Sequence, residues 1–134
     1  FSQDTRSLSD IESHDLLPFN VLKFQLGAIM TAHISFTNID KEIATFSKFW
    51  LQDILRKKIG FTGTIFSDDL SMKGSDYVGG IEAKVSKALD SGCNIVLVCN
   101  DRPAAMEAIN FLEKEKISQS QRCYPRRRRR CRAS

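Results

Sequence analysis

Gly60-Phe61-Thr62-Gly63-Thr64-Ile65-Phe66-Ser67-Asp68-Asp69-Leu70-Ser71-Met72 joins a β-branched and aromatic run to two adjacent carboxylates and a polar loop. The run has the composition of a buried strand, and it stops abruptly on charge. In a parallel α/β sheet the carboxyl ends of the strands form the rim where active sites assemble. Asp68 and Asp69 therefore have a functional reading open to them. The competing reading is a helix cap or a solvated loop acid.

Outward from this stretch the pattern repeats. Gly27 to His33 reads as a short buried strand, followed after a loop by a helix with Ser47 as N-cap. Phe46, Trp50, Leu51, Ile54 and Leu55 form the apolar face of that helix, and Lys48, Asp53, Arg56 and Lys57 take its wet side. The second strand, Thr64 to Ser67, leads through the Asp68 loop to a helix bearing Ile81, Val85, Ala88 and Leu89, with Gly92 as a left-handed cap. The third strand is Asn94 to Cys99. Asn100 and Asp101 can cap the next helix, Pro103 suits its first turn, and Ala105, Ile109 and Leu112 are spaced to cover the sheet. Before the first strand, Asp10 to Leu26 reads as helical, with Pro18 forcing a break or a fresh start near Phe19. The expected order is a helix and then three strand-helix units, which implies a parallel sheet with right-handed crossovers in a barrel or an open doubly wound layout.

Composition sets the bounds. The 134 residues are 42% hydrophobic, enough for one globular domain, and no apolar run approaches the roughly 20 residues that span a bilayer. The chain reads as soluble, with no membrane partner. A start at Phe1 suggests a processed chain or a fragment. The net charge of +4 is misplaced, because residues 118 to 134 hold seven arginines and no acid, leaving residues 1 to 117 at −3. Cys93, Cys99, Cys123 and Cys131 show neither zinc-site spacing nor a redox pair, so no metal and no cofactor is expected. Cys93 and Cys99 read as reduced, buried thiols of a cytoplasmic protein.

Six segments, in order, resemble the bacterial β-N-acetylhexosaminidases of glycoside hydrolase family 3: Asp15 to Phe19, Ala28 to His33, Ala44 to Ser47, Ile59 to Gly63, Ile65 to Met72, and Ala88 to Asn94. The resemblance covers about residues 10 to 112, and its most specific part is Ser67-Asp68-Asp69-Leu70-Ser71-Met72. It implies part of a (β/α)8 barrel and a retaining hydrolase that removes terminal N-acetylglucosamine from peptidoglycan-derived saccharides or muropeptides during cell-wall recycling. In that family the aspartate directly after the Ser or Thr at this strand end is the nucleophile, which here is Asp68. An oxocarbenium-like transition state needs such a carboxylate on one face of the anomeric carbon. Asp69 is expected to support or cap the loop, since neighbouring strand positions point to opposite faces. His33 and Met72 are candidates for the sugar side of the pocket, against the alternatives of a satisfied buried histidine and ordinary packing. His14 matches no catalytic histidine of the family.

The family's acid/base histidine belongs to a Lys-His-Phe-Pro-Gly-His-Gly run that this sequence does not contain. General acid-base catalysis contributes on the order of 10² to 10⁴, so the chain by itself is expected to be inactive. Three strands cannot close an eight-stranded barrel, and self-association through exposed sheet edges is the expected consequence. Residues 1 to 117 thus read as the C-terminal portion of the barrel domain. Residues 118 to 134 read as a disordered arginine-rich tail, either an accidental ending or a nucleic-acid-binding arm, and one that would hold nucleic acid non-specifically in any case. The alternative to the enzyme is a non-catalytic α/β remnant carrying that arm.

Overall fold

The computed structural model describes residues 2–115, and the arginine-rich stretch at 118 to 134, with Cys123 and Cys131, lies outside the described residues. Two sheets form, and every strand-to-strand pairing in them is parallel. β1 (Ser2–Asp4) pairs with β3 (Ile34–Phe36), while β2 (Ala28–Met30), β4 (Thr64–Asp69) and β5 (Ile95–Leu97) form a sheet in the order β2-β4-β5. Spatial order follows chain order without a reversal. A doubly wound sheet reverses at its switch point, so the sequential order is that of consecutive barrel units.

Helices occupy the crossovers. A π-type helix spans Phe49–Ile59, α3 spans Ile81–Ser91 and α4 spans Arg102–Lys114. Ser47 Oγ accepts the Trp50 N–H at 3.0 Å and so caps the first of them, as its position in the sequence suggests. Gly60 closes that helix at φ 80°, a left-handed conformation that glycine adopts without a Cβ penalty. Gly92 ends α3 with positive φ, and Asp101 caps α4 by accepting the Ala104 N–H. Pro18 stands at the start of α2 (Leu17–Leu22), separated by a turn from α1 (Leu8–Ser13), so the proline opens a fresh helix.

The core lies between sheet and helices. Ile65 on β4 is fully buried against Trp50, Leu51, Ile54 and Leu55 of the π-type helix and Val85 and Ala88 of α3. Along β4, Ile65 and Ser67 are buried while Thr64 and Phe66 are half-exposed; their partners Ala28 and Met30 on β2 are exposed, Met30 at 59%. One sheet face is therefore covered by helices and the other is open among the described residues.

Several expectations need correction. The strand expected from Gly27 to His33 ends at Met30, and the chain stays extended into β3, so a single segment pairs with β4 through its first part and with β1 through its second. β1 and β3 leave no mark in the sequence, because three-residue strands carry no readable periodicity. In α4 the buried residue is Ala108, with Ala104, Phe111 and Leu112 packed against the core, whereas Ile109 is 48% exposed. The helix is thus rotated by about one residue from the face expected. Cys93 is buried but Cys99 is only half-buried, and both are free thiols. Burial pushes the Cys93 thiol up to about 12, which makes it inert as a nucleophile.

Arg56, expected on the wet side, instead turns inward. Its guanidinium donates to the carbonyls of Phe61 and Gly63 and to Asn94 Oδ1, at 3.0, 2.6 and 2.7 Å, and stacks over the Phe61 ring. Asn94 Oδ1 also accepts the Ile65 N–H at 2.9 Å, so one arginine ties the π-type helix to the starts of β4 and β5. A planar five-donor fork can do this and a lysine cannot. Replacement Arg56→Met is expected to lower stability by about 1 to 3 kcal/mol, because partly buried acceptors lose their donor. A urea unfolding midpoint equal to that of the unsubstituted chain would refute this role.

Candidate active site

Asp68 and Asp69 end β4 at its carboxyl edge, where the register against β5 shifts between Phe66 and Asp69. Such a bulge re-aims side chains next to functional sites. The two carboxylates part company here. Asp68 leans toward the end of β2, where its Oδ2 accepts the His33 N–H at 3.0 Å, and its Oδ1 accepts the N–H of Asp69 at 2.8 Å. Asp69 leans toward the end of β5, where its Oδ1 accepts the N–H groups of Cys99 and Ser71, each at 3.0 Å, and the Ser71 hydroxyl at 2.7 Å.

These environments assign different work to the two acids. Burial pushes the Asp69 carboxyl up, but the donors from Cys99 and Ser71 outweigh it and hold the group below its ordinary value of 3.8. Asp69 is a fastening between β4, its following loop and β5, the loop-capping role expected for it. Asp68 is half-buried at the rim, with two oriented backbone donors. An ionised carboxylate has about four acceptor positions, so lone pairs remain for an incoming group.

His33 is 6% exposed and touches both aspartates, its N–H meeting the Asp68 carboxylate and its ring the Asp69 backbone. Its Nδ1 lies 3.0 Å from Thr45 Oγ1 and its Nε2 lies 3.0 Å from the Asp69 carbonyl oxygen. Both ring nitrogens are thus occupied by protein groups, the arrangement of a residue that positions others. Met72 is 48% exposed at the start of the loop after β4, and His14 is exposed at the end of α1 with its Nδ1 near the Asp10 carbonyl. The loop itself is pinned from beneath: Lys84 Nζ donates to the Leu70 carbonyl at 3.1 Å and to Asp76 at 2.6 Å, and the Ser75 hydroxyl donates to the Leu70 carbonyl at 3.0 Å. Tyr77 of this loop and Lys87 of α3 both donate to Glu42, in the segment after β3.

Thr31, Thr45, Ser71 and Lys84 are participants that sequence reasoning did not single out. Thr45 lay inside one of the family-like segments, but a threonine between Ala44 and Phe46 gives no sign that its hydroxyl meets a histidine twelve residues earlier.

Comparison with known proteins agrees with this layout. The family model described as the glycosyl hydrolase family 3 N terminal domain matches residues 1–128. This chain belongs to that family. It is 48% identical over 108 residues to a β-hexosaminidase of Idiomarina loihiensis, covering 81% of this chain and 33% of the relative. It is 46% identical over 116 residues to a β-hexosaminidase of Pseudomonas aeruginosa, covering 87% and 35%. Among solved structures, NagZ from Neisseria gonorrhoeae in complex with N-trifluoroacetyl-D-glucosamine superposes with a TM-score of 0.72 at 42% identity, over 78% of this chain and 30% of that one. The chain spans about a third of the length of the curated relatives it matches. The fold is accordingly α/β, a part of the family's barrel domain.

The depressed carboxyl of Asp69 has a thermodynamic consequence. Its folded value lies below the unfolded one, so the stability it contributes is complete above the ordinary carboxylate range and is lost as pH falls through the folded value. Asp69→Asn is expected to flatten the acid limb of the thermal midpoint against pH below about pH 4. Parallel acid limbs in the two proteins would show that Asp69 contributes nothing there.

Proposed function

We propose that this chain carries the nucleophile of a retaining β-N-acetylhexosaminidase, with Asp68 as the attacking carboxylate. The observation that supports it best is the placement of Asp68: at the rim, half-exposed, with both oxygens oriented by backbone donors and none neutralised by a basic side chain among the described residues. A carboxylate so held can add to the anomeric carbon on one face while the leaving oxygen departs from the other, and water then releases the glycosyl ester. Held by the His33 N–H between β2 and β3 and by its own neighbour at the end of β4, the group reaches C1 without first reorganising.

The likeness to a NagZ crystallised with an N-acylated glucosamine supports a substrate that ends in N-acetylglucosamine. We carry over from the family the finer reading of peptidoglycan-derived fragments, met in the cytoplasm during cell-wall recycling. His33 acts in this reading from behind the nucleophile and Met72 borders the sugar. The general acid is a histidine on an upstream loop of the family, so residues 1 to 117 act as one part of the barrel domain and the chain alone is inactive. The open face of the sheet, with Met30 and Phe66 on it, and the edges of β2 and β5, unpaired among the described residues, support self-association of the isolated chain.

Hydrolysis of a chromogenic N-acetyl-β-glucosaminide tests this. The chain combined with the upstream part of a family barrel is expected to turn over, the chain alone is not, and Asp68→Ala is expected to lower kcat on the order of 10³-fold or more. Turnover that survives Asp68→Ala, or a folded combined protein without turnover, would exclude the reading.

A further inference from the structure

The neighbourhood of Asp68 holds a polar chain whose hydrogen positions follow from the groups at its ends. The Asp69 carbonyl can only accept, so His33 Nε2, 3.0 Å away, carries a proton. The Asp68 N–H can only donate, so Thr31 Oγ1, also 3.0 Å away, gives it a lone pair. Between these ends lie two more contacts of 3.0 Å, Thr31 Oγ1 to Thr45 Oγ1 and Thr45 Oγ1 to His33 Nδ1.

One assignment gives every hydrogen an acceptor within the chain. Thr31 donates to Thr45, Thr45 donates to His33 Nδ1, and His33 Nε2–H donates to Asp69. Protonation of Nδ1 as well would reverse the threonines and leave the Thr31 hydrogen without an acceptor among these groups. Thr31 is half-buried, and a hydroxyl hydrogen left there without an acceptor in this group counts against the reversed arrangement. The chain therefore has one direction. It connects the N–H of Asp68 to the carbonyl of Asp69, the two backbone groups that bracket both acids, while the backbone N–H of the same histidine holds Asp68 Oδ2.

We propose that Thr45 is a positioning residue for Asp68: it holds His33 as the Nε2–H tautomer and, with Thr31, fixes the backbone on both sides of the nucleophile. The proposal rests on the glycosidase reading. A displacement of about 1 Å at a reacting group costs on the order of 10²-fold in rate, so a hydroxyl that never touches the sugar governs kcat through geometry.

Two measurements test it. In the 134-residue chain labelled with ¹⁵N-histidine, two-bond ¹⁵N–¹H correlation is expected to show His33 as the Nε2–H tautomer, with His14→Gln assigning the two histidine signals. Thr45→Ser keeps that pattern, and Thr45→Val, which removes the donor with little change of shape, converts it to a mixture. In the chain combined with the upstream barrel part, Thr45→Val is expected to lower kcat about tenfold to a hundredfold with KM within about twofold, and Thr45→Ser to restore most of it. An Nδ1–H histidine in the unsubstituted chain, or an unchanged kcat in Thr45→Val, overturns the proposal. Should Thr45→Val not fold, the unsubstituted spectrum and the serine variant decide alone. Asp68-dependent turnover with an Nδ1–H histidine removes only this proposal, whereas a folded combined protein with the Nε2–H form and no turnover removes the glycosidase reading and this positioning role with it.

Discussion

The carboxylate of Asp69 is the fastening on which the rest of the site depends. It accepts two backbone N–H groups and a hydroxyl, one of the N–H groups from the far end of β5, and this closes the gap opened by the register shift beside it. Adjacent strand positions point to opposite faces, and these bonds fix Asp69 on the β5 side. With Asp69 committed to the loop and β5, Asp68 is left to the β2 side, where His33 and Thr31 receive it. One acid holds the frame, and the other is presented.

Support for that division comes from layers beneath the rim. At the opposite end of β4, Asn94 bonds the strand directly to the start of β5, and Arg56 bonds both strand starts to the π-type helix, so the register there is held from two sides. Along its length, Ile65 and Ser67 are buried, and Ser67 Oγ accepts the Leu97 N–H where the ladder to β5 loosens. Beyond it, Lys84 is largely buried yet satisfied by a carbonyl and by Asp76, an arrangement that holds the loop carrying Ser71 and Met72 from below. The sheet thus delivers Asp68 to a fixed point, as a nucleophile aimed at a single carbon requires.

Much of this was legible in the sequence where periodicity is long or a capping residue is diagnostic. The π-type helix, α3 and α4 declare themselves through apolar spacing, and Ser47, Gly92 and Asp101 mark their ends by backbone chemistry that few other residues satisfy. Asp68 was legible because a charge breaks an apolar strand. β1 and β3 were not, since three residues fit several patterns equally. Arg56 was misplaced because a helical wheel counts an arginine as wet, whereas its fork reaches back to three acceptors that no local pattern reveals. The Thr31-Thr45-His33 chain was invisible for a related reason: hydrogen bonds between loops depend on how β2 and the turn after β3 fold over one another, which is tertiary information.

Covalent trapping measures the central claim most directly. A mechanism-based fluorinated N-acetylglucosaminide, incubated with this chain combined with the upstream barrel part, should leave a glycosyl ester that peptide mass spectrometry locates on Asp68. Label on Asp69 or any other carboxylate, or turnover of the reagent with no ester formed at all, would contradict Asp68 as the attacking group.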